Sequence, residues 1–420
     1  MYGPIVGPSY TVPPSMTPPP ITNTPSPTLS SLTPTTGTPT FTPTLSGTPL
    51  PTLRGELMGI QINSDLSDQD FDLSLQFTKK LGIKWIKLQF VWDILQPDPG
   101  TLSQTFYRYR LFVQRAKQEG FNVMISVAKA PDWARTSLEE DGPPRDPQLL
   151  ADFFTLLLSE IRVDLYGRSY IDAIEIWNEP NLRREWNGGT LSGADYMRYF
   201  DAAYHAIRAG EGGSGIIIVT AGLAPTGVDD GVNAVNDRTY LRQMYEAGLN
   251  NTTYQNIAIG MHPYGSWNAP DARCCQDSGQ GYDETPDFYF LNNIEDYHAI
   301  MLEFGDTSRQ LWATEFGWAT YQGLIVGEGT PAPAPVSAPW FTYLDQQDQA
   351  NYIVRAFEIG QSLPYMGPMI LWNLNFGGTA FVEMADPRAG YAILGNAVDP
   401  RRPAYYLLEQ VPKITPTATP

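Results

Sequence analysis

The chain is poor in cysteine: Cys274 and Cys275 are the only two among 420 residues. A disulfide framework or a zinc-finger site needs more thiols at wider spacing, so both are excluded. Histidine is nearly as scarce. His205, His262 and His298 show no metal-ligand spacing, so no metal and no other cofactor is expected. Positive charge is in deficit, with Lys+Arg 27 against Asp+Glu 45 and a formal net charge of −18. Phosphate binding needs clustered Lys and Arg, which rules out nucleic acid as a partner. No apolar run reaches the ~18 residues of a membrane-spanning helix. Charge is missing altogether before Arg54, and Met1 is not followed by the charged and apolar regions of a secretion signal.

What fills the first 53 residues is proline and threonine, 14 of each. Such a stretch carries too little apolar surface to offset the entropy of folding, and proline makes it a semi-rigid spacer. The composition returns over 414–420. The expected organisation is therefore a Thr/Pro-rich linker (1–53), one folded domain (54–413) and the start of a second linker (414–420). Tethers of this kind suit an exported protein, extracellular or on the cell surface, with further modules attached.

Between the tethers, β-branched and aromatic runs alternate with amphipathic stretches. The expected strands are 58–63, 85–92, 122–129, 171–177, 215–221, 257–264, 310–316 and 368–375. Helical periodicity marks 69–81, 149–161, 194–207, 288–304 and 350–359. Gly82, Gly120, Gly167, Gly210, Gly248, Gly305 and Gly360 are expected as left-handed helix ends. Eight strands alternating with helices predict an α/β fold, a (β/α)8 barrel with long βα loops. A doubly wound sheet is the alternative, but no Gly-x-Gly-x-x-Gly turn follows the first strand. The segments 265–286 and 319–346, after strands six and seven, far exceed a usual connection. They are read either as shaping a cleft or as tolerated insertions.

Two acidic motifs stand at strand ends. Ile176-Trp177-Asn178-Glu179-Pro180-Asn181 closes strand four, and Ala313-Thr314-Glu315-Phe316-Gly317-Trp318 closes strand seven. In a barrel these strands lie nearly opposite, so inward carboxylates there can approach ~5 Å. Such a pair suits double displacement: one attacks an anomeric carbon, while the other protonates the departing oxygen and later deprotonates a water. The acid needs a pKa raised by burial and by the neighbouring negative charge. Glu175, four residues earlier on the same face, reads as a deeper structural partner of Lys87 or Lys129. Asn178 would suit a hydrogen bond to a sugar 2-hydroxyl, provided the strand bulges or ends there.

These motifs resemble the retaining clan A glycoside hydrolases. Trp177-Asn178-Glu179-Pro180-Asn181-Leu182 followed by Trp186 is most similar to family 39, with family 5 next. Trp92-Asp93-Ile94-Leu95-Gln96-Pro97 and Ala130-Pro131-Asp132-Trp133-Ala134 add to the likeness, which spans about Gly59 to Trp372. The resemblance implies a barrel, retention of configuration, Glu179 as acid/base and Glu315 as nucleophile. It departs at Lys87, where many members carry an arginine near the nucleophile.

His262 and Tyr264 share a face at the end of strand six. Tyr264 is placed to donate its hydroxyl to Glu315, and His262 to meet the sugar or groups behind it. Trp372, ending strand eight, is the expected sugar platform, with Trp92, Trp133, Trp186 and Trp318 as further cleft candidates. Asn373 and Asn375 are expected to read hydroxyls, and Trp85 and Trp312 to fill the core. Adjacent Cys274 and Cys275 are left open between a vicinal disulfide and two thiols. The reading that results is a retaining glycosidase acting on a polysaccharide or oligosaccharide. A transglycosidase on the same site and a barrel that only binds glycans are its rivals.

Overall fold

The computed structural model describes residues 49–276 and 282–414; the Thr/Pro-rich stretches 1–48 and 415–420 lie outside the described residues. Eight strands close a barrel: β1 (Met58–Gln61), β2 (Trp85–Val91), β3 (Asn122–Ala128), β4 (Ala173–Ile176), β5 (Ile217–Thr220), β6 (Ile257–Met261), β7 (Leu311–Phe316) and β8 (Met366–Leu371). Each runs parallel to its neighbours, and β8 completes the ring by pairing with both β7 and β1.

Around it lie α1 (Asp68–Lys80), α2 (Gln104–Gln118), α3 (Pro147–Ile161), α4 (Gly193–Ala209), α5 (Asp237–Glu246), α6 (Phe290–Glu303), α7 (Gln346–Ser362) and α8 (Pro403–Gln410). Three of them, α2, α5 and α8, were not read from the sequence. In α2 the apolar stripe Phe106, Tyr109, Phe112, Val113 and Ala116 is interrupted by half-buried arginines. Local chemistry starts the helices. Ser67, Ser103 and Ser192 accept the backbone N–H three residues on, and Asp345 with Asp348 forms a capping box.

Gly82, Gly120, Gly248 and Gly305 take positive φ just past α1, α2, α5 and α6, as expected. The other three glycines differ. Gly167 is left-handed too, at φ +73, but lies in a turn beyond α3 closed by its N–H to the Asp164 carbonyl, while Gly210 is extended at φ −70. Gly360 lies inside α7, where a Cβ would collide with the Met369 sulfur, so close helix–strand approach requires glycine there.

The barrel interior is layered. At its N-terminal end Trp85, Met124, Ala173, Val219, Ala258, Trp312 and Ile370 form one apolar plug, with the two tryptophan rings edge to face at 5.1 Å. Two residues further along the strands the side chains face the same way, but chemistry changes: Gln61, Lys87, Ser126, Glu175 and Thr314 are all buried. This polar layer is the floor beneath the barrel mouth. The domain edge differs slightly from the composition boundary, since Leu53 and Ile414 join the fold through the parallel pair Leu53–Arg54 with Lys413–Ile414. In the long loop after β7, Thr330–Pro331 pairs with Ile325–Val326.

Candidate active site

β4 ends at Ile176, and the motif that follows leaves strand geometry. Trp177 and Glu179 take φ +76 and +44, left-handed values that cost a bulky residue energy and must be imposed by surroundings. Trp177 is buried, gives its backbone N–H to the Val127 carbonyl and its indole N–H to the Glu185 carbonyl. Asn181 is a buried staple whose amide bonds the Ala224 and Val235 carbonyls and accepts the Ala224 N–H. The Glu179 N–H donates to the Gly222 carbonyl at 3.0 Å. Thus the strand ends, as the sequence requires if Asn178 and Glu179 are both to reach the mouth, and Asn178 is half-buried there.

Glu315 stands on β7 itself. Its Oε1 accepts from Lys87 Nζ at 3.0 Å and its Oε2 from the Tyr264 hydroxyl at 3.1 Å. Lys87 Nζ is also 2.7 Å from Glu175 Oε2, which identifies Lys87 as the partner of Glu175; Lys129 pairs with Asp141. Glu179 is held by other groups. Its Oε1 lies 3.1 Å from His262 Nδ1, and its Oε2 accepts from Arg184 at 2.9 Å. The side chains of Glu179 and Glu315 are 12% and 10% exposed, so both border solvent at the rim of an enclosed cluster.

Electrostatics differs from expectation at Glu179. Burial raises its pKa, but His262 and Arg184 outweigh burial and bring it to about 2. The carboxyl with the raised pKa is Glu185, pushed to about 8 by burial and by the charge of Glu179. Burial opposes charge on Glu175 too, yet Lys87 and His262 bring it to about 2.

Several expected sugar contacts are corrected. Trp92, Trp186 and Trp318 are fully buried. Trp92 stacks on Phe153 at 4.8 Å and bonds Gln96, Trp186 packs edge-on against Trp177 and bonds Asp195, and Trp318 donates to the Asn268 carbonyl. A tryptophan after a strand end carries no signal for which way it turns, and packing under the loops claimed these three. Lys87 and His262 are likewise closed off from the mouth and contact carboxylates instead of solvent. Asn373 bonds the Arg388 carbonyl and the Phe376 N–H, while Asn375 bonds Ser74 and the Asn63 N–H. Trp133 is half-buried with its N–H on the Gln96 carbonyl. Trp372 is half-buried, 6.3 Å from the Tyr264 ring and 5.0 Å from Tyr391.

Sequence reasoning missed Arg184, Glu185, Gly222 and Tyr391. Arg184 and Glu185 sit five and six residues past Glu179 on a short turn (Arg183–Glu185), so their nearness was visible in the sequence. Gly222 and Tyr391 come from distant segments and left no such trace. Cys274 and Cys275 are joined as a vicinal disulfide in the loop after β6. Among the described residues no cluster of metal-ligand type occurs, and no helix is long and apolar enough to cross a membrane.

A closed parallel barrel carrying an acidic residue at the ends of β4 and β7 defines a clan A glycoside hydrolase, an O-glycosyl hydrolase. Residues 56–354 match the family described as cellulase (glycosyl hydrolase family 5), and the chain belongs to that family. Family 5 was the second choice from sequence, behind family 39 of the same clan. Among solved structures, a family 39 glycoside hydrolase from Bacteroides cellulosilyticus WH2 is 17% identical with a TM-score of 0.57, covering 85% of this chain and 63% of its own. The GH53 catalytic domain from Ignisphaera aggregans is 17% identical with a TM-score of 0.53, covering 88% and 98%. A broad specificity family 5 endoglucanase from Clostridium longisporum is 13% identical with a TM-score of 0.54, covering 86% and 98%. At such identities the likeness speaks for the fold. No curated protein sequence matches the chain.

Proposed function

We propose that the protein hydrolyses O-glycosidic bonds of a polysaccharide or oligosaccharide with retention of configuration, using Glu315 as nucleophile and Glu179 as acid/base. One observation carries this reading. Two rim carboxylates from β4 and β7 meet in a single buried network, Glu315–Lys87–Glu175 on one side and Glu175–His262–Glu179 on the other. Lys87 and Tyr264 hold the two oxygens of Glu315 and aim it, as a nucleophile requires. When Glu315 attacks the anomeric carbon, the glycosidic oxygen leaves with a proton delivered at Glu179, and a glycosyl ester forms. Glu179 then takes a proton from water, whose oxygen attacks the same carbon and frees Glu315.

Arg184 is half exposed, so an incoming sugar can displace it and release Glu179 Oε2 for this work. Trp372 and Asn178 are the side chains best placed to meet the sugar ring and its hydroxyls. The family's description as cellulase supports β-linked glucans as the first substrates to try. The Thr/Pro-rich stretches support a location outside the cell, on spacers that carry other modules.

NMR of the first-formed anomer is the test. Retention is expected, with release of reducing sugar. A first product of inverted configuration would overturn the mechanism, and glycan binding without release would favour a module that only binds.

A further inference from the structure

The long loops after β6 and β7 are built as a fixed wall, not as tolerated insertions. Under the second of them Ala319, Tyr321, Leu324, Ala338, Phe341 and Ala389 bury one another in a small core separate from that of the barrel. Buried Arg402 pins the wall by donating to the Thr320, Gln322, Gly390 and Ala392 carbonyls. Buried Asn268 joins the two loops: its amide bonds the Tyr282 and Phe288 carbonyls, and its own carbonyl accepts the Trp318 indole N–H.

A row of aromatic rings runs along this wall, away from the two carboxylates. Tyr391 stands 5.0 Å from Trp372 and 5.6 Å from Tyr264, whose hydroxyl meets Glu315. Phe341 lies 5.5 Å from Tyr391 and 5.9 Å from Trp340. From Trp340 the row passes to Tyr282 at 5.2 Å, to Trp267 at 5.2 Å and to exposed Tyr343 at 5.0 Å. Successive rings meet edge-on or tilted, never stacked flat.

The indole N–H groups set part of this row apart from the core. Six of the ten tryptophans give that hydrogen to the protein: Trp85, Trp92, Trp133, Trp177, Trp186 and Trp318. Of the other four, Trp312 is buried in the plug at the N-terminal end of the barrel. The remaining three, Trp267, Trp340 and Trp372, are half-buried on the segments that follow β6, β7 and β8, and their N–H groups have no partner among the described residues. Such a ring offers an apolar face and a donor together, which matches the C–H face and the hydroxyls of a sugar. Trp267 and Trp340 thus repeat the character of Trp372 further along the wall.

Charge narrows the ligand. The loop after β7 (317–345) contains no lysine or arginine, and the only one in the loop after β6 (262–289), Arg273, is paired with Glu295. A chain of net charge −18 repels an acidic polysaccharide and leaves a neutral one unopposed. We propose that Trp267 and Trp340 form a second carbohydrate subsite, which holds a neutral polysaccharide at sugars remote from the bond being cleaved. The idea rests on the reading that Glu179, Glu315 and Trp372 mark the cleavage point. A glycan long enough to reach from Trp372 to Trp340 gains these contacts, and a short glycoside does not. Contacts so far from the reacting bond are equal in ground and transition states, so they lower KM without changing kcat. The wall therefore selects for chain length.

Two measurements separate the subsite from the reaction. The first is retardation of Glu315→Gln protein in native gels cast with soluble β-glucan, xylan, mannan or galactan, all neutral, or with anionic polygalacturonate. At least one neutral polymer is expected to retard the protein, and Trp267→Ala and Trp340→Ala each to weaken that binding about tenfold. Retardation by none of the four, retardation that both substitutions leave intact, or stronger retardation by polygalacturonate overturns the proposal. This assay needs no turnover, so it stands even if the protein cleaves no glycan, an outcome that would instead defeat the glycosidase reading. The second compares KM for the retarding polymer with KM for an aryl glycoside of the same sugar, with Glu315 in place. Either alanine is expected to raise the polymer KM about tenfold at constant kcat and to move the aryl glycoside KM by no more than about twofold. Trp267→Phe and Trp340→Phe keep a ring and are expected to recover most of the loss. Equal rises on both substrates would leave the two rings a packing role only and sink the idea.

Discussion

The two walls of the barrel mouth hold their carboxylates by different means. On the β7 wall, Glu315 belongs to the strand itself, where the pairing with β8 shifts register, and is fastened by Lys87 and Tyr264, groups that keep their protons at neutral pH. On the β4 wall, Glu179 lies past the strand end on left-handed backbone, fastened by His262, which titrates, and by half-exposed Arg184, which can leave. A group that only attacks benefits from a fixed charge environment. A group that gives and takes a proton needs neighbours whose own charge changes within reach of working pH. The asymmetry of the supports thus mirrors the asymmetry of the proposed roles.

The comparison breaks most easily at Glu315. Glu315→Gln is expected to lower turnover by roughly 10⁴-fold or more on every substrate, the scale of removing a covalent nucleophile, measured by steady-state hydrolysis. Glu179→Gln is expected to cost ~10²–10⁴-fold on natural glycans but little on glycosides with activated leaving groups, where azide restores rate and a glycosyl azide is recovered. If both variants behave alike on all substrates, the two walls are equivalent and the role assignment fails.

Lys87→Met tests the floor. It strands Glu175 without its partner and is expected to destabilise the fold by ~3–5 kcal/mol in denaturant titration, because a buried charge left unpaired is costly. The smallest effect belongs to pH. His262 ordinarily titrates at 6.5 and is raised to about 9 in the folded protein. Its stabilisation is therefore complete below 6.5 and lost as pH rises toward 9. Glu175 and Glu179 run the other way, stabilising above 4.5 and losing that as pH falls toward 2. Thermal melts across pH 6–10 are expected to show an alkaline decline of at most about 3 kcal/mol that is absent in His262→Gln.

Strand number and order, the closing of α/β alternation into a barrel, and the positions of Glu179 and Glu315 at strand ends were legible in the sequence. Each depends on local pattern: β-branched runs, glycine after helices, and two acidic motifs at a spacing of three βα units. The destination of single aromatic side chains was not legible. Trp92, Trp186 and Trp318 follow strand ends as Trp372 does, yet only Trp372 of these four remains half-buried. Which way a ring turns depends on partners such as Phe153, Tyr199 and Asn268 that arrive from other segments. The charge state of Glu179 was misjudged for a related reason. Burial and a like-charged neighbour are inferable from a barrel, but Arg184 and His262 beside the same carboxylate are not.

From its own chain order the protein settles which residues line the inside of a regular strand, because side chains alternate with a period of two, but on β7 a register shift against β8 brings both Thr314 and Glu315 inward. It also settles that Glu175 points inward beneath Glu179 and needs a basic partner, leaving Lys87 and Lys129 as the candidates. Closure of the ring alone decided the rest. Only when β2, β4, β6 and β7 are brought to one axis do a lysine, three carboxylates and an imidazole fall within hydrogen-bonding and ion-pairing reach. Electrostatic energy depends on separation in space, to which distance along the chain is blind.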